Sequence, residues 1–420
     1  MADPAPSQTS TPGAGRLMSL DVFRGVTIAS MILVNNPGSS DAYAPLKHAA
    51  WHGWTFTDTV FPFFLWIVGV AIPLSVSRRL EQGQSRRELL LHALRRAAII
   101  FGLGFFLNSF SFFIDGSLGR LGFSEWLHNY LTTVRIPGVL QRIAICYLIA
   151  MLIFLRTGVR GQIRWTIGLL LAYWLIMAFA PFPVNVHGET RYLSGVLEKG
   201  DNFSSYVDNL VFNGPTIGTH VWKVSKTWDP EGTVSTLPAI ATCLFGILAG
   251  HLLRSRRTAA EKTAWLMVVG ALLMWLGSVI DFWLPLNKGI WTSSYAVLMA
   301  GLAMLCLGVY YWFIDVKGCR TFVKPFAIYG MNAITVFVLA GVIGRISFEI
   351  KLGAADGKSI LLKTRLFDNL CAPFASPDTA PFLGFLATPK NASLLWALMY
   401  VLLLYLVAWA MYRKKWLVKF

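Results

Sequence analysis

Ten long apolar runs alternate with polar stretches along the chain. A helix needs about 20 apolar residues to cross the hydrocarbon core of a bilayer. The pattern therefore predicts an all-α fold, a polytopic membrane bundle of about ten transmembrane helices. The predicted spans cover residues 18–35, 55–77, 96–113, 136–155, 163–181, 234–253, 263–283, 290–313, 323–344 and 393–412.

The polar connections fall into two classes that alternate. Those after the second, fourth, sixth, eighth and tenth runs are rich in Arg and Lys, as cytoplasmic loops are. This pattern predicts that both chain termini are cytoplasmic. The remaining connections are mixed in charge, and two of them are longer than simple connectors need to be. These predicted outer loops are 36–54, 114–135, 182–233, 284–289 and 345–392.

The composition agrees with a membrane protein. The chain is 55% hydrophobic and only 14% charged, whereas soluble proteins carry about 25% charged residues. The net charge of +16 would suggest nucleic-acid binding in a soluble protein. Here the basic residues lie in short loops between apolar runs, so the positive-inside rule accounts for them, and we expect no nucleic-acid partner.

The N-terminal residues and the cysteines suggest no functional site. Residues 1–15 are rich in Pro, Ser, Thr, Ala and Gly and are expected to form a disordered tail, with no cleaved signal peptide. Residues 16–420 then form one transmembrane domain. The five cysteines are scattered without a CxxC pair, so we predict neither a disulfide framework nor a metal site.

The stretch between the first two runs, Leu33 to Asp58, is unusually rich in polar chemistry. It carries His48, His52, Asn35 and the neighbouring Asn36. The charge pattern places His48 on the outer face, at the mouth of the second span. Asp58 lies in the first turn of that span, where a carboxylate suits the helix dipole and can also orient a histidine. We interpret this stretch as a catalytic loop.

Polar residues also open the fourth predicted span, in the segment RIPGVLQR. Arg135 is expected at the outer interface, while Gln141 and Arg142 lie deeper and face protein. Charged side chains inside a membrane are costly, and so they suggest function. Arg142 with Gln141 indicates a site for an anion or a polar ligand; the alternative is a structural partner such as Asp58.

Three further sites combine polar chemistry with a structural alternative. Asp21 and Arg24 are spaced i and i+3 at the start of the first span and can pair on one helix face. Asp229 and Glu231, in DPEG, suit a helix start, and they can also bind a cationic or polyhydroxylated acceptor. Asn332, in the segment GMN, lies in the middle of the ninth span.

Five stretches together resemble a known family, the heparan-α-glucosaminide N-acetyltransferases. They are LDVFRG with VNNPG, KHAAWHGWTFTDTVFPFFLWIVG, RIPGVLQR, DPEG and GMN. Each is weak alone, but their order and spacing are specific. The resemblance extends from Arg16 to about Tyr412 and matches a short, bacterial form of the family.

The resemblance implies transfer of an acetyl group from cytosolic acetyl-CoA to a glucosamine-type amino sugar across the membrane. It assigns the active-site histidine to His48 and an assisting asparagine to Asn35. It further implies a homodimer in the bacterial inner membrane, with the active-site loop facing the periplasm. His52 departs from the human form of the family, which has Asn at this position; it looks like a variation of the bacterial form, and its role stays open.

The chemistry leaves alternatives open. A neutral imidazole can take a proton from an amine, and an Asn amide can stabilise the negative charge that develops on the thioester oxygen. His48 can act in this way as a general base, or it can attack the thioester and carry the acetyl group. A transporter of amino sugars or oligosaccharides and a membrane polysaccharide O-acetyltransferase are the rival functions.

Overall fold

Long apolar helices form most of the fold in the computed structural model, which describes residues 17–186, 189–353 and 359–416. In these ranges, nine helices are long and apolar enough to cross a membrane, and one bent pair makes a tenth. The predicted all-α polytopic membrane bundle is confirmed. The expected tail, residues 1–15, lies outside the described residues.

The α-helices of the described ranges are numbered here in chain order. They are α1 (Met18–Asn35), α2 (Phe56–Glu81), α3 (Arg86–Ile114), α4 (Ser117–Leu121), α5 (Phe123–Thr133), α6 (Val139–Arg156), α7 (Val159–Phe179), α8 (Phe203–Phe212), α9 (Thr236–Arg254), α10 (Ala259–Ile280), α11 (Ser293–Tyr310), α12 (Lys324–Met331), α13 (Ala333–Glu349), α14 (Leu362–Leu370) and α15 (Pro389–Arg413).

Most predicted spans agree with these helices to within a few residues. The third is the main exception, because α3 begins at Arg86 and not near residue 96. Ser85 caps this helix: its hydroxyl accepts a hydrogen bond from the Glu88 backbone N–H, and the Glu88 side chain bonds back to the Ser85 backbone. The capping box extends the helix through a basic stretch that apolar content alone assigns to a loop.

We expected the ninth predicted span to be one continuous helix, but the structure divides it into two. Helices α12 and α13 meet at an angle of 80°, with Asn332 at the break. The Asn332 amide donates to the Trp416 carbonyl oxygen at 3.1 Å. Just before the break, α12 lies so close to α1 that a Cβ on Gly330 would stand 2.2 Å from the Asp21 carbonyl oxygen.

Helix α2 lies at the centre of the bundle. In its most apolar window, 78% of the residues are buried, whereas the figure for α10 at the periphery is 17%. Glycines let α2 and α9 approach closely: a Cβ on Gly69 would stand 2.0 Å from the Cys243 carbonyl oxygen, and one on Gly246 would stand 2.1 Å from that of Trp66. This contact fixes the start of α9 beside the start of α2.

The long connections contain structure of their own. Helices α4 and α5 lie between α3 and α6, α8 lies before α9, and α14 lies before α15. Within the described ranges, three antiparallel strand pairs accompany them: β1 (Phe182–Val186) with β2 (Glu189–Leu193), β3 (Asn213–Gly214) with β4 (Gly218–Thr219), and β5 (Lys351–Gly353) with β6 (Ser359–Leu361).

These connections meet at one end of the bundle, which we call the long-loop end. The Trp51 indole donates to the Leu197 carbonyl oxygen at 2.8 Å, and the Gly53 N–H donates to the Leu286 carbonyl oxygen at 2.7 Å. The Gly38 N–H reaches the start of α15 through the Ser393 carbonyl. The α1–α2 connection therefore contacts two other connections and the first turns of α15.

Candidate active site

The imidazole of His48 is held by a buried carboxylate. His48 Nδ1 lies 2.6 Å from Oδ1 of Asp58. The Asp58 side chain is 1% exposed, whereas that of His48 is 53% exposed. An ionised carboxylate only accepts hydrogen bonds, so Nδ1 donates to it and the proton-free lone pair stands on Nε2. A histidine whose inner nitrogen is anchored by a carboxylate and whose outer nitrogen carries no proton is suited to proton transfer or nucleophilic attack.

Local sequence fixes the carboxylate of Asp58. Thr55 is the N-cap of α2 and forms a capping box with Asp58, the third residue of the helix. Oδ2 of Asp58 accepts from the backbone N–H groups of Thr55 and Ala49, both at 3.0 Å. Oδ2 thus holds the loop against the start of α2, and Oδ1 remains available to His48. The phenol of Tyr295 donates to the Asp58 carbonyl oxygen at 2.5 Å.

Lys288 completes this group and was missed from the sequence. Its Nζ lies 3.4 Å from Oδ1 of Asp58 and 3.0 Å from Nδ1 of His48. Burial lowers the pKa of Lys288, while the charges of Asp58 and Glu231 oppose that change. A signal was present: Lys288 is the one basic residue of the short connection 284–289, which the charge pattern places on the same side as His48.

Asn287, the residue before Lys288, joins the connection 284–289 to the α1–α2 connection. The Asn287 amide lies 3.4 Å from Nδ1 of His52, and Gly53 pairs with Asn287 in an isolated parallel bridge. Asn287 also accepts from the Ile290 N–H at 3.1 Å and is fully buried. His52 therefore contacts the segment that positions Lys288, and no hydrogen bond joins it to His48 among the described residues.

A second charged group surrounds Arg135. Its guanidinium binds Asp229 through two bonds, from Nε at 2.8 Å and Nη2 at 2.5 Å, and Nη2 also donates to Glu231 at 2.5 Å. Burial alone would lower the pKa of Arg135, but the two carboxylates outweigh burial and raise it. The acids proposed to bind an acceptor are thus engaged within the protein. The Asn108 amide holds the same turn through the carbonyls of Arg135 and Pro137, both at 2.9 Å.

Asp208 shapes the DPEG turn from α8. Its carboxylate accepts from the Thr233 N–H at 2.7 Å and the Asp229 N–H at 3.3 Å. Gly232 leaves room for it, because a Cβ there would lie 1.9 Å from Asp208 Oδ2. Burial raises the pKa of Asp208 to about 7, although the two backbone hydrogen bonds oppose this effect.

Arg142 lies beneath this turn and is 1% exposed. Its Nη2 donates to the Gly232 carbonyl at 3.0 Å and to the Ser235 hydroxyl at 2.5 Å. The guanidinium carbon stands 5.3 Å from the centre of the Trp291 ring. Asp58, the example of a structural partner suggested from sequence, instead binds His48 and Lys288, and the partners of Arg142 come from the turn before α9. In the described residues, Nε and Nη1 of Arg142 have no hydrogen-bond partner.

Asn35 faces a separate cavity of about 290 Å³ between α1, α3, α6 and α13. His48 does not line this cavity, and no hydrogen bond joins the two residues in the described structure. The role of Asn35 as an assistant to His48 stays a prediction. Polar groups from four helices and their flanking turns meet in the cavity, namely Asn35, Asn36, Asn108, Arg135, Gln141 and Arg345.

Two predicted binding residues lie away from the long-loop end. Arg24 pairs with Asp21 at 3.4 Å, as the i, i+3 spacing predicts. Asn332 stands at the α12–α13 break and close to α1, near the start of that helix. Their assignment to cofactor or substrate binding remains a prediction, because the structure joins neither residue to the groups around His48.

Comparison with known proteins supports the resemblance drawn from the five stretches. The mouse protein named heparan-alpha-glucosaminide N-acetyltransferase (Mus musculus) is 29% identical over 372 residues, covering 79% of this chain and 54% of the relative. The human protein of the same name (Homo sapiens) is 30% identical over 364 residues, covering 77% of this chain and 52% of the relative. No family model matches the chain.

The chain spans about half the length of the curated relatives that it matches. The matched part covers more than three quarters of the chain. The chain is therefore a relative of the heparan-alpha-glucosaminide N-acetyltransferases, as the order and spacing of its five stretches predict.

Proposed function

We propose that this protein is a membrane-embedded acetyltransferase that moves an acetyl group from acetyl-CoA to the amine of a glucosamine-type sugar. One observation carries the proposal: the exposed imidazole of His48 is anchored at 2.6 Å by the buried carboxylate of Asp58. The names of the relatives support the class of reaction and the kind of acceptor.

The anchored histidine accounts for proton transfer. Nδ1–H is engaged by Asp58, so Nε2 is the nitrogen that can accept a proton from the sugar ammonium or amine. The freed amine attacks the thioester carbonyl carbon, a C–N bond forms, the C–S bond breaks, and the thiolate of CoA takes the proton. Asp58 stabilises the imidazolium that exists between these two transfers, because its charge lies 2.6 Å away.

A two-step route uses the same atoms. Nε2 attacks the thioester, CoA leaves, and the sugar amine then takes the acetyl group from the imidazole. The two routes differ in one observable, since only the second forms acetyl-protein at His48 before a sugar is present. The outward exposure of His48 supports either route.

The acetyl donor and the acceptor would reach the site from opposite sides. We infer that the long-loop end faces the periplasm of a bacterial inner membrane, where the acceptor binds, because the Arg-rich connections lie at the other end. Acetyl-CoA would then deliver its thioester through the bundle from the cytoplasm. Asn35, Gln141, Arg135 and the cavity that they line are one candidate path, and Arg24 is a candidate contact for the cofactor at the cytoplasmic end.

The direct test is acetyl transfer by the purified protein with acetyl-CoA and glucosamine. We expect His48→Ala to abolish acetylated product, and Asn35→Ala to reduce it. His128→Ala is the matched control, because His128 is an exposed histidine of α5 whose side chain forms no hydrogen bond in the described structure. This control should retain the wild-type rate.

The rival functions predict other outcomes. An O-acetyltransferase acetylates a hydroxyl, so it accepts a sugar without an amine as readily as glucosamine. A transporter takes up the sugar in proteoliposomes even after His48→Ala. Full transfer by His48→Ala contradicts the assignment of the site, and no transfer by the wild type to an amino sugar contradicts the proposed acceptor.

A further inference from the structure

The primary amine of Lys288 lies inside the group that would carry out acetyl transfer. Nζ is 3.0 Å from Nδ1 and 3.5 Å from Nε2 of His48. An acetyl carbonyl presented to Nε2 or bonded to it would therefore stand beside this amine. An amine and a carbonyl carbon that a protein holds side by side react as if one were present at a concentration many orders of magnitude above that in solution.

The surroundings of Lys288 make its amine a better nucleophile than the amines of exposed lysines. Its side chain is 23% exposed, and burial lowers its pKa, so a larger fraction of the amine is unprotonated and nucleophilic. Asp58 and Glu231 oppose this change through their charges. By contrast, Lys47 and Lys199 are exposed, and within the described ranges no hydrogen bond or ion pair involves their side chains.

We propose that Lys288 is a self-acetylation site: when no sugar acceptor is bound, its amine takes the acetyl group that the His48 site receives from acetyl-CoA. This inference rests on the proposed function. Lys288 occupies the same chemical role as the sugar, a primary amine beside Nε2, and it is the nearest amine that the described structure offers.

The step is the same acyl transfer with a different acceptor. The unprotonated Nζ attacks the thioester carbonyl carbon, a C–N bond forms and the C–S bond breaks. His48 Nε2 takes the proton from the nitrogen and passes it to the departing CoA thiolate. The products are one free CoA and one N-acetyl-lysine, and no further reactant is required.

Acetylation would change the site that performs it. The amide of N-acetyl-lysine is neutral, so the ion pair between Lys288 and Asp58, at 3.4 Å, is lost. The added acetyl group also fills space directly against the imidazole of His48. We therefore expect the modified protein to transfer acetyl groups to sugar poorly, so that the enzyme becomes inactive when acetyl-CoA is present without acceptor.

The test incubates the full-length purified protein with acetyl-CoA alone and maps acetylation by peptide mass spectrometry. We expect one acetyl group on Lys288, absent from Lys47 and Lys199, and absent from Lys288 in the His48→Ala variant. After removal of acetyl-CoA, the remaining glucosamine transfer activity should fall in proportion to the acetylated fraction. Lys288→Arg keeps a positive charge beside Asp58 and cannot form the amide, so incubation should not lower its own starting activity.

Three outcomes separate this inference from the proposed function. If the wild type acetylates glucosamine but Lys288 stays unmodified, self-acetylation is wrong while the proposed function stands. Equal labelling of Lys47, Lys199 and Lys288, or labelling that persists in His48→Ala, means ordinary chemical acetylation and also overturns the inference. If neither sugar nor Lys288 is acetylated, the proposed function itself fails.

Discussion

Replacing Asp58 with asparagine tests how the carboxylate sets the state of His48. The substitution keeps the shape of the side chain and exchanges one oxygen for an NH2 group. The backbone N–H groups of Ala49 and Thr55 both point at the Oδ2 position, each at 3.0 Å, and they require an acceptor there. The asparagine oxygen must therefore take that position, which turns its NH2 group toward His48.

This orientation places the imidazole proton on the wrong nitrogen. A donor facing Nδ1 makes Nδ1 the acceptor, so the proton moves to Nε2, the atom that should receive the proton of the amine. General-base catalysis contributes about 10²–10⁴-fold, and we expect Asp58→Asn to lose a similar factor in the rate of transfer. Loss of the charge-assisted bonds should lower the free energy of unfolding by about 1.5–3 kcal/mol.

The assay compares the initial rate of acetyl-glucosamine formation by Asp58→Asn and wild type at saturating acetyl-CoA, with thermal unfolding in detergent as a check on folding. Asp58→Ala removes the acceptor as well, and it should lose more stability than Asp58→Asn. If folded Asp58→Asn transfers acetyl groups at the wild-type rate, the carboxylate does not set the histidine tautomer, and the account of the site is wrong.

Three further predictions concern stability. Arg135→Met leaves the buried Asp229 carboxylate without its positive partner, and breaking a buried pair in this way costs about 3–5 kcal/mol, so the unfolding temperature of this variant in detergent should fall well below that of wild type. Gly246→Leu forces a side chain into the contact of α2 with α9, and size-exclusion chromatography should show aggregated protein, whereas the same change at the open Gly168 should be tolerated. Burial raises the folded-state pKa of Asp208 to about 7, so the folded state binds a proton that the unfolded state has already lost, and the free energy of unfolding should fall as pH rises toward 7. Asp208→Asn should flatten this dependence of stability on pH. An unchanged slope in the variant would contradict the prediction.

Apolar length and charge alternation predicted most of the fold. They fix the spans because a bilayer demands about 20 apolar residues and a basic cytoplasmic side. They failed where local contacts decide the outcome. The 80° bend at Asn332 lies beside the close approach of Gly330 to α1, which the apolar pattern does not reveal, and the early start of α3 depends on a capping box.

The candidate site was only half predictable. His48 and Asp58 are ten positions apart on a loop and the helix that follows it, so sequence could suggest their meeting. Lys288 is remote in sequence, and tertiary contacts such as the parallel bridge between Gly53 and Asn287 bring its connection to His48. Likewise the partners of Arg142 depend on the turn before α9, which the apolar pattern does not describe.

The most direct test of the central claim is the amount of acetylated glucosamine that purified protein forms from labelled acetyl-CoA, with wild type, His48→Ala and His128→Ala measured side by side. The account predicts labelled product from wild type and His128→Ala and none above background from folded His48→Ala. Equal product from His48→Ala and wild type would contradict the claim that His48 carries the reaction.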